Sequence, residues 1–252
     1  MDRFIKDRSD VCKNVRIKTY PDGSMELLCA SQPIFTPSGW EDHKERKKIE
    51  RSASETCDSG DRARRRARAQ LRDLALCTPF RYFVTLTLDK SKVDRYDMQA
   101  VTKRLNTWLD NRVRRNGLSY VLVPEQHKDG AIHFHGFFND ALRVVDSGRS
   151  DAAGHTIFNL PAWDFGFTTA IELYDDYHKA VAYVCKYIGK DTEKIGGRWY
   201  YSGGKLGAPE VSYTSGELRE IAEAQGAYQF KVEEAGLSFV LLRISADPKG
   251  GK

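Results

Sequence analysis

No CxxC pair occurs among the cysteines of this 252-residue chain, and no G-x-x-x-x-G-K-[ST] loop is present. Cys12, Cys29, Cys57, Cys77 and Cys185 are an odd number at irregular spacing, which argues against a disulfide framework and against a structural zinc module. Buried or idle thiols are the expectation. Ile188-Gly189-Lys190-Asp191 and Ser202-Gly203-Gly204-Lys205 are too short to cradle nucleotide phosphates, so ATP use is not expected. No apolar run approaches the roughly 20 residues of a membrane helix. The charged start, Met1-Asp2-Arg3-Phe4-Ile5-Lys6-Asp7, lacks a signal-peptide core. A soluble, cytoplasmic protein without a membrane partner is expected, and no internal repeat points to a solenoid.

What is present is charge and strand-like alternation. Forty Lys and Arg against 35 Asp and Glu leave a net +5, which is compatible with nucleic acid but does not by itself demand it. Val15–Tyr20 and Met25–Cys29 flank Pro21-Asp22-Gly23-Ser24 and read as a hairpin. From Trp40 to Arg72 the chain is charge-dense, with runs at His43–Lys48 and Arg62–Arg68. The second run favours a helix that starts at Asp58 or Ser59 and docks through Leu71, Leu74 and Leu76. That helix either solvates one face or tracks a phosphate backbone.

After Pro79 the order is regular. Strands are expected at Arg81–Leu88, Tyr120–Val123, Ala131–Phe138 and Phe165–Leu173, and helices at Asp97–Val113 and Asp176–Lys190, with a loop over 146–155. The tail adds a mixed segment and Phe239–Ile244. This order predicts an α+β fold, an antiparallel sheet with helices packed on one face. Three parts follow: an N-terminal hairpin and basic helical extension (1–78), a central domain (79–205), and a C-terminal segment (206–252) that completes or packs on it. The last residues, Asp247–Lys252, are expected to fray.

Two groups of residues carry chemistry. His133 and His135 stand two apart in a strand and therefore share a face. If Lys128-Asp129-Gly130 is a three-residue hairpin loop with Gly130 left-handed, His127 pairs with Ala131 and Glu125 falls opposite His133. A two-residue Asp-Gly turn would put Glu125 on the wrong face. Two imidazoles and one carboxylate suit Mg2+ or Mn2+ holding a phosphate oxygen, without excluding zinc. His127, nearer the turn, is a rival ligand.

The second group lies on a helix. Val181, Val184, Cys185 and Ile188 form the apolar stripe, leaving Lys179, Tyr183, Lys186, Tyr187 and Lys190 on the other face. A tyrosine, with a free pKa of about 10, is a poor nucleophile at neutral pH. Nearby lysines and a metal-bound phosphate make attack easier. Each tyrosine has a lysine three residues on, as Tyr183-x-x-Lys186 and Tyr187-x-x-Lys190.

The strand Phe83-Val84-Thr85-Leu86-Thr87, the His133-Phe134-His135 pair and the Tyr-x-x-Lys helix together resemble the three motifs of HUH endonucleases. With histidines preceding tyrosine, the chain is most similar to rolling-circle replication initiators (Rep proteins) of phages, plasmids and small DNA viruses, over about residues 80–205. The resemblance implies metal ligation by His133, His135 and Glu125. It implies a 5′-phosphotyrosine formed on Tyr187, with Tyr183 as second candidate, and phosphate stabilisation by Lys186 and Lys190. It further implies Mg2+ or Mn2+ as cofactor, single-stranded or hairpin origin DNA as substrate, a bacterial host cell, and unwinding and synthesis by a host helicase and DNA polymerase.

A single-strand transposase with the same chemistry and a noncatalytic nucleic-acid-binding module are the alternatives. Thr85 and Thr87 line the site, contact DNA or simply pack. Arg198, Trp199, Tyr200 and Tyr201 form either a base-stacking surface or an edge packed on the core.

Overall fold

Strand alternation and turn residues organise the chain. The computed structural model describes residues 12–35, 56–127, 129–173, 177–188, 194–232 and 236–246. His43–Lys48, Cys57's side chain, Lys190 and Asp247–Lys252 lie outside what is described. Among the described residues the fold is α+β, with twelve strands in two antiparallel sheets and four helices. None of these helices is long and apolar enough to cross a membrane. The chain forms two compact units, Ser52–Ala208 and Met1–Arg51 with Pro209–Lys252.

The second of these units holds strands β1 (Val15–Thr19), β2 (Met25–Ala30), β10 (Glu210–Thr214), β11 (Tyr228–Val232) and β12 (Leu237–Ile244), in the order β10-β1-β2-β12-β11. The Pro-Asp-Gly-Ser turn forms as expected: Ser24 N–H donates to Asp22 Oδ1 at 2.9 Å and Gly23 N–H to the Tyr20 carbonyl at 2.9 Å. The hairpin is thus paired with the C-terminal strands, while helix α4 (Leu218–Ala222) contributes Leu218 and Ile221 to the core around Val15, Cys29 and Val240. The described cysteines, Cys12, Cys29, Cys77 and Cys185, are free thiols, with Cys29 and Cys185 buried.

The unit Ser52–Ala208 holds helices α1 (Thr56–Cys77), α2 (Met98–Asn116) and α3 (Tyr177–Tyr187). Its strands are β3 (Tyr82–Leu88), β4 (Tyr120–Gln126), β5 (Ile132–Phe138), β6 (Val145–Ser150), β7 (Thr156–Asn159), β8 (Gly166–Glu172) and β9 (Tyr201–Gly203), ordered β6-β7-β8-β3-β5-β4-β9. The basic helix therefore belongs with this sheet and not with the N-terminal hairpin. Asp97 caps α2 by accepting from Gln99 and Ala100, and Gly117, at φ 75°, ends it in the left-handed region.

Val101, Leu105, Trp108 and Leu109 of α2 pack on Val84, Leu86, Leu122, Phe134 and Phe138 in one core. The alternate residues of the same strands, among them Phe83, His135 and Phe137, meet α3 on the opposite face. The expectation of helices on one face is thus corrected. Strands β3 and β5 carry large side chains on both faces, so both must be covered.

The expected loop 146–155 is corrected as well: β6 and β7 form a hairpin, closed by Asp151, whose Oδ1 accepts from the Ala153 and His155 amides. Most β6 side chains are exposed, so the strand carries no apolar alternation to betray it.

Beside His135, β4 and β5 approach so closely that a Cβ on Gly136 would lie 1.9 Å from the Val121 carbonyl oxygen. Gly136→Ala is therefore expected to destabilise the fold by about 3 kcal/mol or more, at the upper end of overpacking costs. Denaturant unfolding measures this, and a loss under about 1 kcal/mol would show that β4 can yield.

Candidate active site

The β4–β5 loop sets the register on which the site depends. Gly130 sits at φ 86°, its N–H donating to the His127 carbonyl at 2.8 Å, and His127 N–H donates to the Ala131 carbonyl at 2.8 Å. This is the three-residue form, and it places Glu125 opposite His133. Paired residues share a face, and long side chains reach diagonal neighbours. Glu125 accordingly reaches past His133, its Oε2 lying 2.8 Å from His135 Nε2. Both groups are about 8% exposed. His127 stacks on His133 with ring centroids 3.7 Å apart, so a third imidazole stands at the same corner.

The neighbouring strand completes the arrangement. Thr85 and Thr87 of β3 pair with His135 and His133 of β5. Their hydroxyls lie 3.1 Å and 3.2 Å from the respective Nδ1 atoms. A Thr-x-Thr strand thus anchors the inner nitrogens of a His-x-His strand, fixing both rings and turning Nε2 of each outward. Lining the site is the right description of these threonines. Their anchoring role was not visible in the sequence because β-branched residues are ordinary strand content.

Helix α3 brings its tyrosines to this face. Val181, Val184, Cys185 and Ile188 are buried, as the spacing predicted. The Tyr187 ring lies flat on His135, with centroids 4.4 Å apart and planes 7° from parallel. Its hydroxyl donates to that of Tyr183 at 2.6 Å. Tyr183, 49% exposed, packs edge-on against Phe83. Lys186 is exposed and, with Phe83, Ile171, Lys179 and Tyr183, lines an open groove of about 600 Å³ beside the tyrosine pair.

The structure ties α3 down at both ends, through residues that sequence reasoning did not single out. Near its start, the Tyr177 hydroxyl donates to the Ala75 carbonyl of α1 at 2.5 Å. Near its end, Arg68 of α1 donates through Nε to the Cys185 carbonyl at 3.1 Å and through Nη2 to the Ile188 carbonyl. The two helices therefore run antiparallel. A guanidinium satisfies carbonyls that the helix terminus leaves unpaired and sits at the negative end of its dipole.

Electrostatics pull the two halves of the site in different directions. Burial, and behind it the charges of His127 and His135, hold the His133 imidazole down at about 4. It is neutral at physiological pH, as a metal ligand must be. Burial, the hydrogen bond to Tyr183 and the charges of Tyr183 and Glu125 push the Tyr187 phenol well above its ordinary value.

Among the described residues no three His, Cys, Asp or Glu side chains already surround a common metal position. The chemistry of the donor set nevertheless fits a divalent cation. Both inner nitrogens are anchored, His133 is neutral, and the Glu125–His135 contact brings a carboxylate oxygen and an imidazole nitrogen together at 2.8 Å.

The remaining expected site feature divides. Tyr201 is a core residue, 1% exposed and edge-on to Phe134, and is corrected from a stacking surface to packing. Trp199 and Tyr200 are half-buried and remain on the surface.

Residues 81–192 match a family model for replication-associated proteins of the ORF2 type. The stretch runs from the start of β3 past α3, and so contains the threonine, glutamate, histidine and tyrosine positions above. Over it the chain is similar to replication-associated proteins, which supports a replication initiator family. No curated protein and no solved structure matches the chain.

Arg68→Ala removes two charge-assisted hydrogen bonds and is expected to lower unfolding free energy by about 1.5–3 kcal/mol. Hydrogen exchange should locate the loss in α3. Unchanged protection of the Val184–Tyr187 amides would show that the helix holds without its cap.

Proposed function

We propose that the chain is a rolling-circle replication initiator that nicks single-stranded origin DNA by transesterification on a tyrosine and rejoins it by the reverse reaction. The observation that carries this reading is the stack of Tyr187 on His135. It joins a nucleophile candidate to a His-His-Glu donor set across two elements far apart in sequence. The family match over 81–192 supports the replication role.

On this reading Tyr187 attacks the scissile phosphorus. The phosphorus–O3′ bond breaks, the DNA 5′ end stays on the phenolic oxygen, and the 3′ oxygen leaves as a hydroxyl carrying the proton that the phenol gives up. The phosphotyrosine link stores the energy of the broken bond, so a returning 3′-hydroxyl reseals the strand without ATP. His133, His135 and Glu125 would hold Mg2+ or Mn2+, with His127 in reach as a further ligand. Such an ion supplies Lewis acidity at a phosphate oxygen.

Either threonine hydroxyl can donate to or accept from its imidazole. His135 can therefore exchange the proton it shares with Glu125 for a cation without losing its anchor. The Tyr187–Tyr183 hydrogen bond lets one phenol stabilise negative charge on the other, and the pair has the spacing for alternating strand transfers. Lys186, and Lys190 in the segment outside the described residues, are assigned to phosphate charge. Origin DNA in single-stranded or hairpin form, a host helicase and a host polymerase are the partners this chemistry needs.

The reading is tested with oligonucleotides tiled across the DNA that flanks the coding region, incubated with Mn2+ and resolved on a denaturing gel. Wild type should give a covalent protein–DNA band that EDTA abolishes, and Tyr187→Phe should lose it. Loss with Tyr183→Phe and retention with Tyr187→Phe would reverse the two roles. No band on any substrate would overturn the nicking reading.

A second expectation concerns the anchors. Thr85→Val should weaken Mn2+ binding about 10–100-fold, as substitutions of groups that orient a metal's ligands do. Titration calorimetry on the two proteins reads the difference, and equal affinities would remove Thr85 from that role.

A further inference from the structure

A second cleft in the same unit shares no residue with the tyrosine–histidine site. It lies between α1 and the segment 194–200, has a volume of about 280 Å³, and is lined by Ala63, Arg66, Ala67 and Gln70 on one side and by Lys194, Arg198, Trp199 and Tyr200 on the other. Ala63, Ala67 and Gln70 recur at helical spacing and give α1 a low, flat floor there. The Tyr200 hydroxyl donates to Gln70 Oε1 at 3.4 Å and ties the two walls together.

Three features point to a ligand. Arg66, Lys194 and Arg198 carry positive charge, and none of them forms an ion pair among the described residues, whereas Arg64, Arg81 and Arg95 are matched to Asp61, Glu172 and Asp129. Arg198 is instead laid over the Tyr201 ring, 5.6 Å from its centroid, a contact that orients the guanidinium without neutralising it. The indole Nε1 of half-buried Trp199 is enclosed and has no acceptor among the described residues. Such an enclosed donor is costly unless a ligand satisfies it.

The cleft falls just below the roughly 300–1,000 Å³ of small-molecule pockets, so it suits a short stretch of a polymer better than a whole compact ligand. Cations with half-buried rings match a phosphodiester backbone bearing unstacked bases, and recessed rings cannot reach bases that remain paired in a duplex.

We propose that this cleft grips single-stranded DNA, with phosphates on Arg66, Lys194 and Arg198 and a base against Trp199 and Tyr200. The inference rests on the nucleic-acid part of the proposed function and is independent of its cleavage chemistry. Ala67 precedes Arg68, the residue that caps α3, so the cleft adjoins the C-terminal end of the tyrosine helix. A strand held there is held beside the nicking site and not in it. That is the place for the strand flanking the cut, which must not drift away while the covalent link exists.

The test uses the full chain carrying Tyr183→Phe and Tyr187→Phe, so that binding is read without cleavage. A fluorescent mixed-sequence oligonucleotide is titrated at several salt concentrations. Adding Arg66→Ala and Lys194→Ala should weaken single-strand binding about tenfold at moderate salt and make the salt slope shallower by about 1.4, two contacts at about 0.7 each. Trp199→Phe should weaken it about fivefold, toward the lower end of base-stacking losses. Affinity and slope unchanged in both variants would overturn the proposal, and so would an equal loss for duplex, which would mark a diffuse charge effect. A melting temperature equal to that of the parent guards against unfolding. With both tyrosines intact, Arg66→Ala/Lys194→Ala protein at saturating oligonucleotide should still form its covalent band. If the parent forms no band on any substrate, the nicking reading fails while the binding result still decides the cleft.

Discussion

One aromatic contact organises this molecule: the phenol ring of Tyr187 lying flat on the imidazole of His135. Neither ring could hold that position alone. An eleven-residue helix is too short to be stable in water by itself, so α3 persists only through what it packs on and what ties it. Its apolar stripe is buried, Phe137 and Phe83 receive Tyr177 and Tyr183, and α1 bonds it near both ends. From the other side, His135 is fixed by Thr85 at Nδ1 and by Glu125 at Nε2. The stack is the meeting point of two separately braced parts, which is how a fold places reactive groups within a fraction of an ångström.

The same bracing has an electrostatic consequence. A buried tyrosine beside a carboxylate resists ionisation, and Tyr187 is pushed in that direction. Taken alone this argues against a nucleophile. On the proposed reading it means that the resting protein keeps its phenol protonated. Attack then depends on positive charge that arrives with the substrate and its ion, or comes from Lys186 and the lysine beyond α3. A site that is inert until its substrate is seated suits a reaction in which an idle nucleophile would cut DNA without purpose. The neutral imidazole of His133 belongs to the same logic, because a protonated ring there would repel the cation the site is built to take.

Much of this was legible in the sequence, for local reasons. Asp129-Gly130 specifies a turn, and a turn of given length specifies a register, so the pairing of Glu125 with His133 follows from a few neighbouring residues. The stripe on α3 and the caps of α2 are equally local. The threonine anchors are not: Thr85 and His135 are 50 residues apart, and nothing in a Thr-x-Thr strand names the strand that will lie beside it. Tyr201 shows the reverse failure. Its neighbours Trp199 and Tyr200 are half-buried while it points into the core, a difference made by strand alternation at β9 that composition cannot register. The hairpin of β6 and β7 was missed because its first strand is held by backbone bonds while its side chains face solvent.

The arginine-rich helix brings these threads together. Read as a sequence, Arg62-Ala63-Arg64-Arg65-Arg66-Ala67-Arg68 is a single block of charge with two rival meanings, a solvated face or a track for phosphates. In the fold the block separates by direction. Arg68 turns inward and is spent on the carbonyls of α3, and Arg64 is matched to Asp61. Arg66 is left without a carboxylate beside a cleft that also holds Lys194 and Arg198. The charge that caps the tyrosine helix and the charge proposed to hold the strand stand two residues apart on one rigid element. Docking α1 against α3 therefore does two things at once: it stiffens the helix that presents the tyrosines, and it fixes where the cationic cleft stands relative to them. A helix with fewer arginines could do the first, and a flexible basic tail the second, but only a docked helix with arginines on two faces does both.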